Sequence, residues 1–322
     1  MTTQYPRCVV VGCGQWGGHL VRALSELKAL AGIVEKNEIR ALELSKTYHI
    51  PVISFSAALT LPDIQGIFIA TPSGERERLA QDALNHQKHV FLEKPAVLRE
   101  KEGRDLYQKA LDQQRYLMAG HLLLYHPVFQ KMKEMVKNGT LGEIRAIQTE
   151  RHNFGKFFKN ESVVWDFGPH DLSMILSLLP DDVDPMPLQI LKTSLYERGG
   201  RADVFESTLI FSKCIKAHLS LSRLSLQKKQ SISLIGSMGL LRFDDTKPWD
   251  EKLLYAPVSL NEEAPFDPPL RGVEKFIPIS QEEPLKKECL AFLKAIQHSE
   301  RPEGFKSALD VTRILEKLHE LT

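Results

Sequence analysis

The sequence predicts two domains: an α/β N-terminal domain with a doubly wound parallel sheet, and an α+β C-terminal domain with an open-faced, mostly antiparallel sheet. In residues 8–120, short apolar runs alternate with amphipathic, helix-like stretches, a pattern typical of a parallel sheet covered on both faces. In the second half, apolar and polar residues alternate with a period of two. The 322 residues exceed the usual size of a single core. We therefore expect domains at 1–121 and 122–322.

Each predicted strand of the N-terminal domain is a short, continuous apolar run bounded by helix-like segments. Such runs are typical of strands that are buried on both faces. The predicted strands are 8–12, 30–35, 66–71, 89–95 and 116–120, and the predicted helices are 15–28, 38–48, 75–86 and 99–114.

The C-terminal half shows its alternation most clearly in the segment IKAHLSLSRLSL, residues 215–226. Residues at odd positions from 215 to 221 are apolar and those between them are polar, so one face should be buried and the other wetter. The other predicted elements are helices at 127–138 and 169–179, a strand at 144–152, two strands in 231–245 joined through Gly236 and Gly239, an irregular Pro-rich stretch at 246–284, and final helices near 285–297 and 304–320.

The composition argues against nucleic-acid and membrane partners. The formal net charge is +1, and no basic stripe stands out. The longest apolar runs, at 66–70 and 174–179, are far shorter than the roughly 20 residues that span a bilayer, and the N-terminus lacks a secretory apolar core. The four cysteines lack CxxC or zinc-ligand spacing. We expect a cytoplasmic protein with free thiols and a small-molecule partner.

A glycine-rich loop lies between the first predicted strand and helix. Gly12, Gly14 and Gly17 form G-x-G-x-x-G. In this motif the first glycine allows a tight turn, the second admits a pyrophosphate, and the third lets helix and strand pack closely. The loop therefore predicts a Rossmann domain that binds a dinucleotide, with Gln15 and Trp16 opening the phosphate-binding helix. The alternative is that the glycines only make a turn.

An acidic residue ends the second predicted strand. Glu35 lies 23 residues after Gly12, near the spacing of about 20 expected for a carboxylate that binds the adenosine ribose. A carboxylate there repels a 2′-phosphate, so it favours NAD over NADP. Lys36 follows immediately and weakens that preference. The alternative for Glu35 is an ordinary exposed acid at a strand end.

The segment Glu93-Lys94-Pro95 follows an apolar strand. The carboxyl edge of such a sheet is where ligands bind in doubly wound folds. Pro95 disfavours helical geometry at Lys94 and so restricts its direction. Lys94 is a candidate acid or base, and the alternative is a surface lysine that ends a strand.

A second candidate constellation lies in VVWDFGPHDLSMILSLLP, residues 163–180. Gly168 and Pro169 predict a helix start that places His170 in the first turn. There the helix dipole would disfavour the imidazolium and leave a neutral general base, which Asp166 could orient. The alternative is that Asp166 caps the helix and His170 is a satisfied core histidine.

Other chemistry finds little support in the sequence. The histidines do not form H-E-x-x-H or another compact ligand pair, so no metal site is predicted. Neither a G-x-S-x-G elbow nor a P-loop is present.

Four motifs follow one another along the chain: the glycine loop, ATP at 70–72, EKP at 93–95 and DFGPH at 166–170. With these motifs in this order, essentially the whole chain resembles the Gfo/Idh/MocA oxidoreductases. This resemblance implies an N-terminal Rossmann domain and a C-terminal open-faced sheet that binds substrate and pairs subunits, as a homodimer or homotetramer. It further implies that Lys94 is the active-site lysine, that His170 is the catalytic histidine, and that Asp166 is the accompanying carboxylate. Thr71, Pro72, Glu93 and Lys94 match positions that face the cofactor.

The segments 119–129, 150–158 and 163–176 are similar to those of bacterial nucleotide-sugar 3-dehydrogenases. The resemblance implies NAD-dependent oxidation of the C3 hydroxyl, a CH–OH donor, of UDP-GlcNAc or its uronate. A pyridoxal-phosphate aminotransferase would then use the 3-keto sugar in making lipid A or surface polysaccharide. The implied substrate contacts are Lys94, Tyr125, Arg151, Asn153, Lys156, Asp166 and His170.

The expected mechanism pairs a base with a cation. Neutral His170 takes the C3 hydroxyl proton as hydride leaves C3, and Lys94 stabilises the developing alkoxide; swapped roles remain open. Arg151, Asn153 and Lys156 suit a carboxylate or diphosphate, the alternative being solvated charges. One rival function is a dehydrogenase of a free sugar, inositol or other polyol. Another is a non-catalytic dinucleotide-binding regulator.

Overall fold

The computed structural model describes residues 5–155, 157, 161–259, 270–300 and 304–319. The chain divides into two compact units, one of residues 1–122 and 283–313 and the other of residues 123–282 and 314–322. The expected boundary assigned everything after residue 121 to the second domain. In the structure, residues 283–313 instead belong to the first unit.

The first unit contains a parallel sheet with strand order β2-β1-β3-β4-β5 within residues 5–122, all of which are described. This confirms the predicted parallel α/β fold. Its strands are β1 (Cys8–Val11), β2 (Leu30–Val34), β3 (Gly66–Ile69), β4 (His89–Glu93) and β5 (Leu117–Gly120). Its helices in this range are α1 (Gln15–Glu26), α2 (Glu38–Tyr48), α3 (Phe55–Thr60), α4 (Ser73–Asn85) and α5 (Glu100–Asp112).

Burial of the apolar strands explains this sheet. Every residue of β1, β3, β4 and β5 is buried, so both faces of these strands are covered. The C-terminal segment supplies part of the cover. Phe292 lies on a later helix, 284–298, and its ring packs edge-on against Phe68 at 5.1 Å and Phe91 at 5.9 Å. That apolar contact explains why residues 283–313 join the first unit.

The second unit contains a mixed, mostly antiparallel sheet, as predicted. The described strands follow the order β13-β12-β11-β10-β6-β9-β8-β7, with β14 paired to β12 and with β6 and β9 parallel. They are β6 (Ile144–Phe154), β7 (Gln189–Arg198), β8 (Arg201–Ile210), β9 (Lys216–Ser222), β10 (Leu224–Gly236), β11 (Gly239–Asp244), β12 (Leu253–Ser259), β13 (Leu270–Arg271) and β14 (Lys275–Phe276). The remaining helices are α6 (Pro127–Lys137), α7 (Val163–Leu178), α8 (Pro284–His298) and α9 (Phe305–His319), and the unit boundary falls within α9.

The predicted alternation at 215–226 is present in β9, but the segment is not one strand. Ala217, Leu219 and Leu221 are buried while Lys216 is exposed. The strand ends at Ser222, and β10 begins at Leu224 and continues to Gly236. The stretch 246–284, expected to be irregular, contains β12, which pairs with β11. Backbone pairing with a neighbouring strand extends the sheet here beyond what the local sequence pattern indicates.

The predicted start of α7 is wrong. The helix begins at Val163 after Ser162, and Pro169 lies inside it. Burial of Val163 and Val164 extends the helix across a proline that, judged locally, indicates a boundary. His170 is therefore about two turns from the helix start, so the expected effect of the helix N-terminus on its ring does not apply.

Candidate cofactor and active site

The glycine loop of the first unit is shaped by two close approaches. Gly12 has φ +82°, and a Cβ there would lie 2.8 Å from the Thr71 side chain. A Cβ on Gly17 would lie 2.0 Å from the Gly12 carbonyl oxygen, whereas a Cβ on Gly14 would meet nothing within 4 Å. Gly12 and Gly17 thus allow the loop to form, and Gly14 faces open space.

These features fit a dinucleotide pyrophosphate. Helix α1 begins at Gln15 after Gly14, which provides no side-chain cap for the first-turn amides, and such amides bind phosphate. The buried Thr71 Oγ1 lies beside this loop and has no hydrogen-bond partner among the described residues. Pro72 follows Thr71 and directly precedes α4. The loop therefore offers both open space and donors to a bound cofactor.

The predicted ribose carboxylate is held by the backbone. Glu35 Oε2 accepts a hydrogen bond from the Cys13 amide at 2.6 Å, and Oε1 accepts one from the Asn37 amide at 2.8 Å. Lys36, expected to modify the cofactor preference, forms an ion pair with Glu75 at 3.0 Å. A carboxylate has further acceptor sites, so these contacts orient Glu35 without exhausting it.

Arg40 is a cation of this region that sequence reasoning missed. Its Nε donates to the Cys13 carbonyl at 3.2 Å. Its Nη2 lies 2.7 Å from where a Cβ on Gly18 would be. Its Nη1 pairs with Glu43 at 2.8 Å. Arg40 therefore stands beside the glycine loop, five positions after Glu35 on the following helix.

Lys94 directly follows β4 and is half-buried. The backbone around it is held by Arg76 of α4, whose side chain is buried. Arg76 donates to the Thr71 carbonyl at 2.7 Å, the Glu93 carbonyl at 2.8 Å and the Pro95 carbonyl at 2.7 Å. One guanidinium thus fixes the chain on both sides of Lys94 relative to Thr71. A lone sequence offers no signal for this role.

Glu93 and Glu288 form a pair of buried carboxyl groups that interact electrostatically. The Glu93 side chain is buried, and its Oε2 accepts a hydrogen bond from the Lys94 amide at 3.2 Å. Burial raises the pKa of Glu93, while a hydrogen bond with Trp16 and the charge of Arg76 oppose that rise. Glu288 of α8 is fully buried, and burial together with the Glu93 charge raises its pKa well above the usual value.

In the second unit, Asp166 is bound by a buried arginine. Arg223 is 2% exposed and donates to Asp166 Oδ2 at 3.0 Å. It also donates to the Glu161 carbonyl at 2.8 Å and the Ser162 carbonyl at 3.3 Å. Arg223 therefore fixes both the start of α7 and the carboxylate that precedes His170 by one helical turn. His170 itself is half-buried on α7.

Arg151 differs most from its expected role. It is buried in an ion pair with the fully buried Asp171, at 2.8 Å from Nε and 2.7 Å from Nη2. Burial raises the pKa of Asp171, and Arg151 opposes the rise. The guanidinium of Arg151 is thus bound inside the unit rather than presented to solvent, and its partner Asp171 directly follows His170 in the sequence.

The other predicted substrate contacts are less enclosed. Asn153 is exposed on β6, and Tyr125 is half-buried at the end of a 3₁₀ turn, Leu122–Tyr125. Lys156 lies outside the described residues. The predicted site residues are divided between the two units. The first unit contains the glycine loop with Glu35, Thr71, Glu93 and Lys94. The second unit contains Arg151, Asp166 and His170.

Two features are absent from the part of the chain that the structure describes. No group of three His, Cys, Asp or Glu side chains in that part of the chain could hold a metal ion. No helix within those ranges is long and apolar enough to cross a membrane.

Comparisons with known proteins match both halves of the chain. The family model of oxidoreductases with an NAD-binding Rossmann fold, GFO_IDH_MocA, matches residues 6–121. The model of the GFO/IDH/MocA C-terminal domain matches residues 129–242.

Three individual relatives each share less than a quarter of their residues with this chain. UDP-N-acetylglucosamine 3-dehydrogenase of Acidithiobacillus ferrooxidans is 24% identical over 218 residues, 67% of each chain. Its solved structure, GnnA, has a TM-score of 0.83 at 19% identity and covers 98% of this chain and 96% of that one. KijD10, a 3-ketoreductase of Actinomadura kijaniata solved with TDP-benzene and NADP, has a TM-score of 0.79 at 19% identity, covering 96% and 95%. A putative myo-inositol dehydrogenase of Sinorhizobium meliloti has 0.80 at 18%, covering 98% of each.

Proposed function

This chain belongs to the Gfo/Idh/MocA oxidoreductase family, and from that premise we propose that it oxidises the C3 hydroxyl of a UDP-linked 2-acetamido sugar with NAD. UDP-GlcNAc or its uronate is the proposed substrate. The observation that carries the chemistry is Lys94, which follows β4 at the ligand-binding edge of the sheet and is held there by Arg76. The sugar is supported by the similarity to a UDP-N-acetylglucosamine 3-dehydrogenase.

Binding of the cofactor is assigned to the glycine loop. The amides that open α1, at Gln15 and Trp16, would hold the pyrophosphate, with Gly14 leaving room for it. Glu35 would accept hydrogen bonds from the adenosine ribose. When bound, the nicotinamide supplies the acceptor for the hydride.

The proton and charge at the substrate are assigned to two side chains. His170 would take the proton of the C3 hydroxyl, and the Lys94 ammonium would donate a charge-assisted hydrogen bond to the oxygen as charge develops on it. The reverse assignment is the alternative. Asp166, held by Arg223, would belong to the same group. Tyr125, Asn153 and Lys156 are proposed as contacts to the rest of the sugar nucleotide.

Arg151 is proposed to act indirectly. Since its guanidinium is buried against Asp171, it would fix the α7 segment that carries His170, rather than bind a diphosphate itself.

We propose that the protein binds NAD more tightly than NADP, because the Glu35 carboxylate would repel a 2′-phosphate. Lys36 is paired with Glu75, and Arg40 with Glu43, so neither is presented as an isolated cation. A comparison of saturation with NAD and NADP tests this preference. A lower KM for NADP than for NAD would reverse this preference, and equal KM values would remove it.

Beyond the single chain, we propose a cytoplasmic homodimer or homotetramer that pairs through the open sheet. Leu191 and Leu195 of β7 are exposed, as apolar interface residues would be in a lone chain. A pyridoxal-phosphate aminotransferase is the proposed consumer of the 3-keto product, towards lipid A or surface polysaccharide.

The test is reduction of NAD, followed by the absorbance of NADH. Purified protein is mixed separately with UDP-GlcNAc, its 6-carboxylate and myo-inositol, each with and without 2-oxoglutarate. Reduction with one UDP-sugar supports the proposal and identifies the C6 group. Reduction with inositol alone would favour the second candidate, a polyol dehydrogenase, which the fold similarity to a putative myo-inositol dehydrogenase keeps open. NAD binding without any reduction would favour a regulator.

A further inference from the structure

His121 occupies a position equivalent to that of Lys94 on the neighbouring strand. Strands β4 and β5 are parallel, and Glu93 and Gly120 are register partners at their ends. Lys94 and His121 are therefore the first residues beyond the paired strands, side by side at the carboxyl edge of the sheet. This edge is where ligands bind in doubly wound folds.

The imidazole of His121 has no partner in the described part of the chain. The side chain is 4% exposed, and neither Nδ1 nor Nε2 makes a hydrogen bond there. Buried polar atoms are nearly always hydrogen-bonded, so two orphaned nitrogens on one ring point to a group that is absent from the chain itself.

The electrostatic setting determines what that group can be. Burial lowers the pKa of His121 to about 4, and the positive charge of Lys94 acts in the same direction. At pH 7 the ring is therefore neutral, with one N–H donor and one acceptor nitrogen. A neutral ring with an acceptor suits a hydroxyl or a carboxamide better than an anion such as phosphate.

His89 shows what a satisfied histidine looks like in the same sheet. It lies at the opposite end of β4 and is also buried. Its Nδ1 accepts a hydrogen bond from the Tyr116 amide at 3.0 Å, and its ring stacks on Tyr116 at 4.7 Å. The two histidines thus share burial and sheet but differ in hydrogen bonding. Burial alone does not explain the unpaired ring of His121.

We propose that His121 is a ligand-binding residue of the active site, whose ring nitrogens bind a neutral group that both donates and accepts hydrogen bonds. That group is either the nicotinamide carboxamide of the cofactor or a hydroxyl of the sugar. The inference rests on the proposed function in that both ligands belong to the dehydrogenase reaction.

The experiment compares His121→Phe, which removes both nitrogens but keeps a planar ring, with His121→Gln, which keeps a donor and an acceptor. His89→Phe is the matched control at the far edge of the sheet. Affinities for NADH and for ADP-ribose, which lacks nicotinamide, are measured by calorimetry. Steady-state kinetics use UDP-GlcNAc, its uronate and myo-inositol, and the melting temperature of each apo-protein is recorded.

If the carboxamide is the ligand, His121→Phe weakens NADH binding about tenfold and leaves ADP-ribose binding unchanged. If a sugar hydroxyl is the ligand, both affinities stay at the wild-type value while kcat/KM falls by a similar factor. In either case His121→Gln recovers part of the loss and His89→Phe shows none. The melting temperature of His121→Phe does not fall, because the substitution removes unsatisfied polar atoms.

Wild-type cofactor affinity together with wild-type kcat/KM in His121→Phe would overturn the proposal. So would an equal loss in His89→Phe, because the effect would then be general to the sheet. Should the wild-type protein oxidise none of UDP-GlcNAc, its uronate and myo-inositol, the proposed function fails on its own. The cofactor arm alone then decides the role of His121, and unchanged NADH binding rejects it.

Discussion

Arg223 lies 3.0 Å from Asp166 through Nη2 and Oδ2, and the arginine is 2% exposed. It is the residue between β9 and β10, so it stands where the sheet passes the start of α7. A second carboxylate, Asp203, lies 3.8 Å from Nη1. A buried guanidinium that serves two carboxylates and two carbonyls links the sheet of this unit to the helix that carries His170.

Arg223→Met should therefore destabilise the protein strongly. Removing the cation breaks the buried ion pair with the largely buried Asp166, and breaking a buried pair in this way costs about 3–5 kcal/mol. Asp203 keeps its ion pair with Arg198 at 2.6 Å. Asp166→Asn should cost less, because the amide oxygen still accepts a hydrogen bond from Arg223. Urea denaturation of both variants checks the order. An Arg223→Met midpoint equal to that of the wild type would contradict the structural role given to the pair.

The glycine loop gives a second prediction, with its control in the same motif. Gly17→Ala places a methyl group 2.0 Å from the Gly12 carbonyl oxygen, so the loop must shift, and NAD binding and stability should both fall. Gly14→Ala meets nothing within 4 Å, so the melting temperature should stay near the wild-type value. Its methyl group would occupy the space assigned to the pyrophosphate, and NAD affinity should drop by about tenfold or more.

Melting temperature and NAD calorimetry separate these cases. If Gly14→Ala binds NAD as tightly as the wild type, the open face at Gly14 is not where the pyrophosphate lies. If Gly17→Ala is as stable as Gly14→Ala, the close approach of helix and strand does not constrain the loop.

The first domain was predictable because its signals are local. Each apolar run became a strand, and α2 occupies the predicted residues, 38–48. The start of α7 was missed because a Gly-Pro pair is a strong local signal that the burial of Val163 and Val164 overrides.

Several residues at the candidate site left no local signal at all. Glu288 lies on an amphipathic helix nearly 200 positions from Glu93, yet the two carboxyl groups interact in the folded unit. Arg76 and Arg223 look like ordinary charged residues until their carbonyl partners are known. Arg151 was selected by charge and resemblance, but only the fold reveals its pairing with Asp171. Such roles depend on tertiary neighbours, which spacing and periodicity do not encode.

Lys94→Met tests the proposed chemistry directly. Methionine keeps the aliphatic length but cannot donate to an oxyanion, so turnover should fall by at least about 100-fold. NAD affinity should remain within a few fold, because the glycine loop is untouched. Lys101→Met, at an exposed position on α5, is the matched control and should keep full activity. Full activity in Lys94→Met would remove Lys94 from the mechanism.

The buried Glu288 gives a pH-dependent prediction. Its pKa is raised in the folded protein by burial and by the charge of Glu93, so the folded state binds its proton more tightly than the unfolded chain does. The raised pKa therefore contributes stability that is fully present below the ordinary pKa of 4.5. It is lost as the pH rises towards the folded value, at up to about 1.4 kcal/mol per pH unit. Glu288→Gln is neutral at every pH and should lose this dependence.

The free energy of unfolding at pH 5, 7 and 9, from urea titrations of wild type and Glu288→Gln, measures the effect. The free energy of unfolding of Glu288→Gln should increase relative to that of the wild type as the pH rises, and this gain should be smallest at pH 5. Glu134→Gln, at an exposed position on α6, should follow the wild-type curve. A constant difference between wild type and Glu288→Gln across the three pH values would mean that Glu288 ionises equally easily in the folded and unfolded states, which its complete burial beside Glu93 argues against.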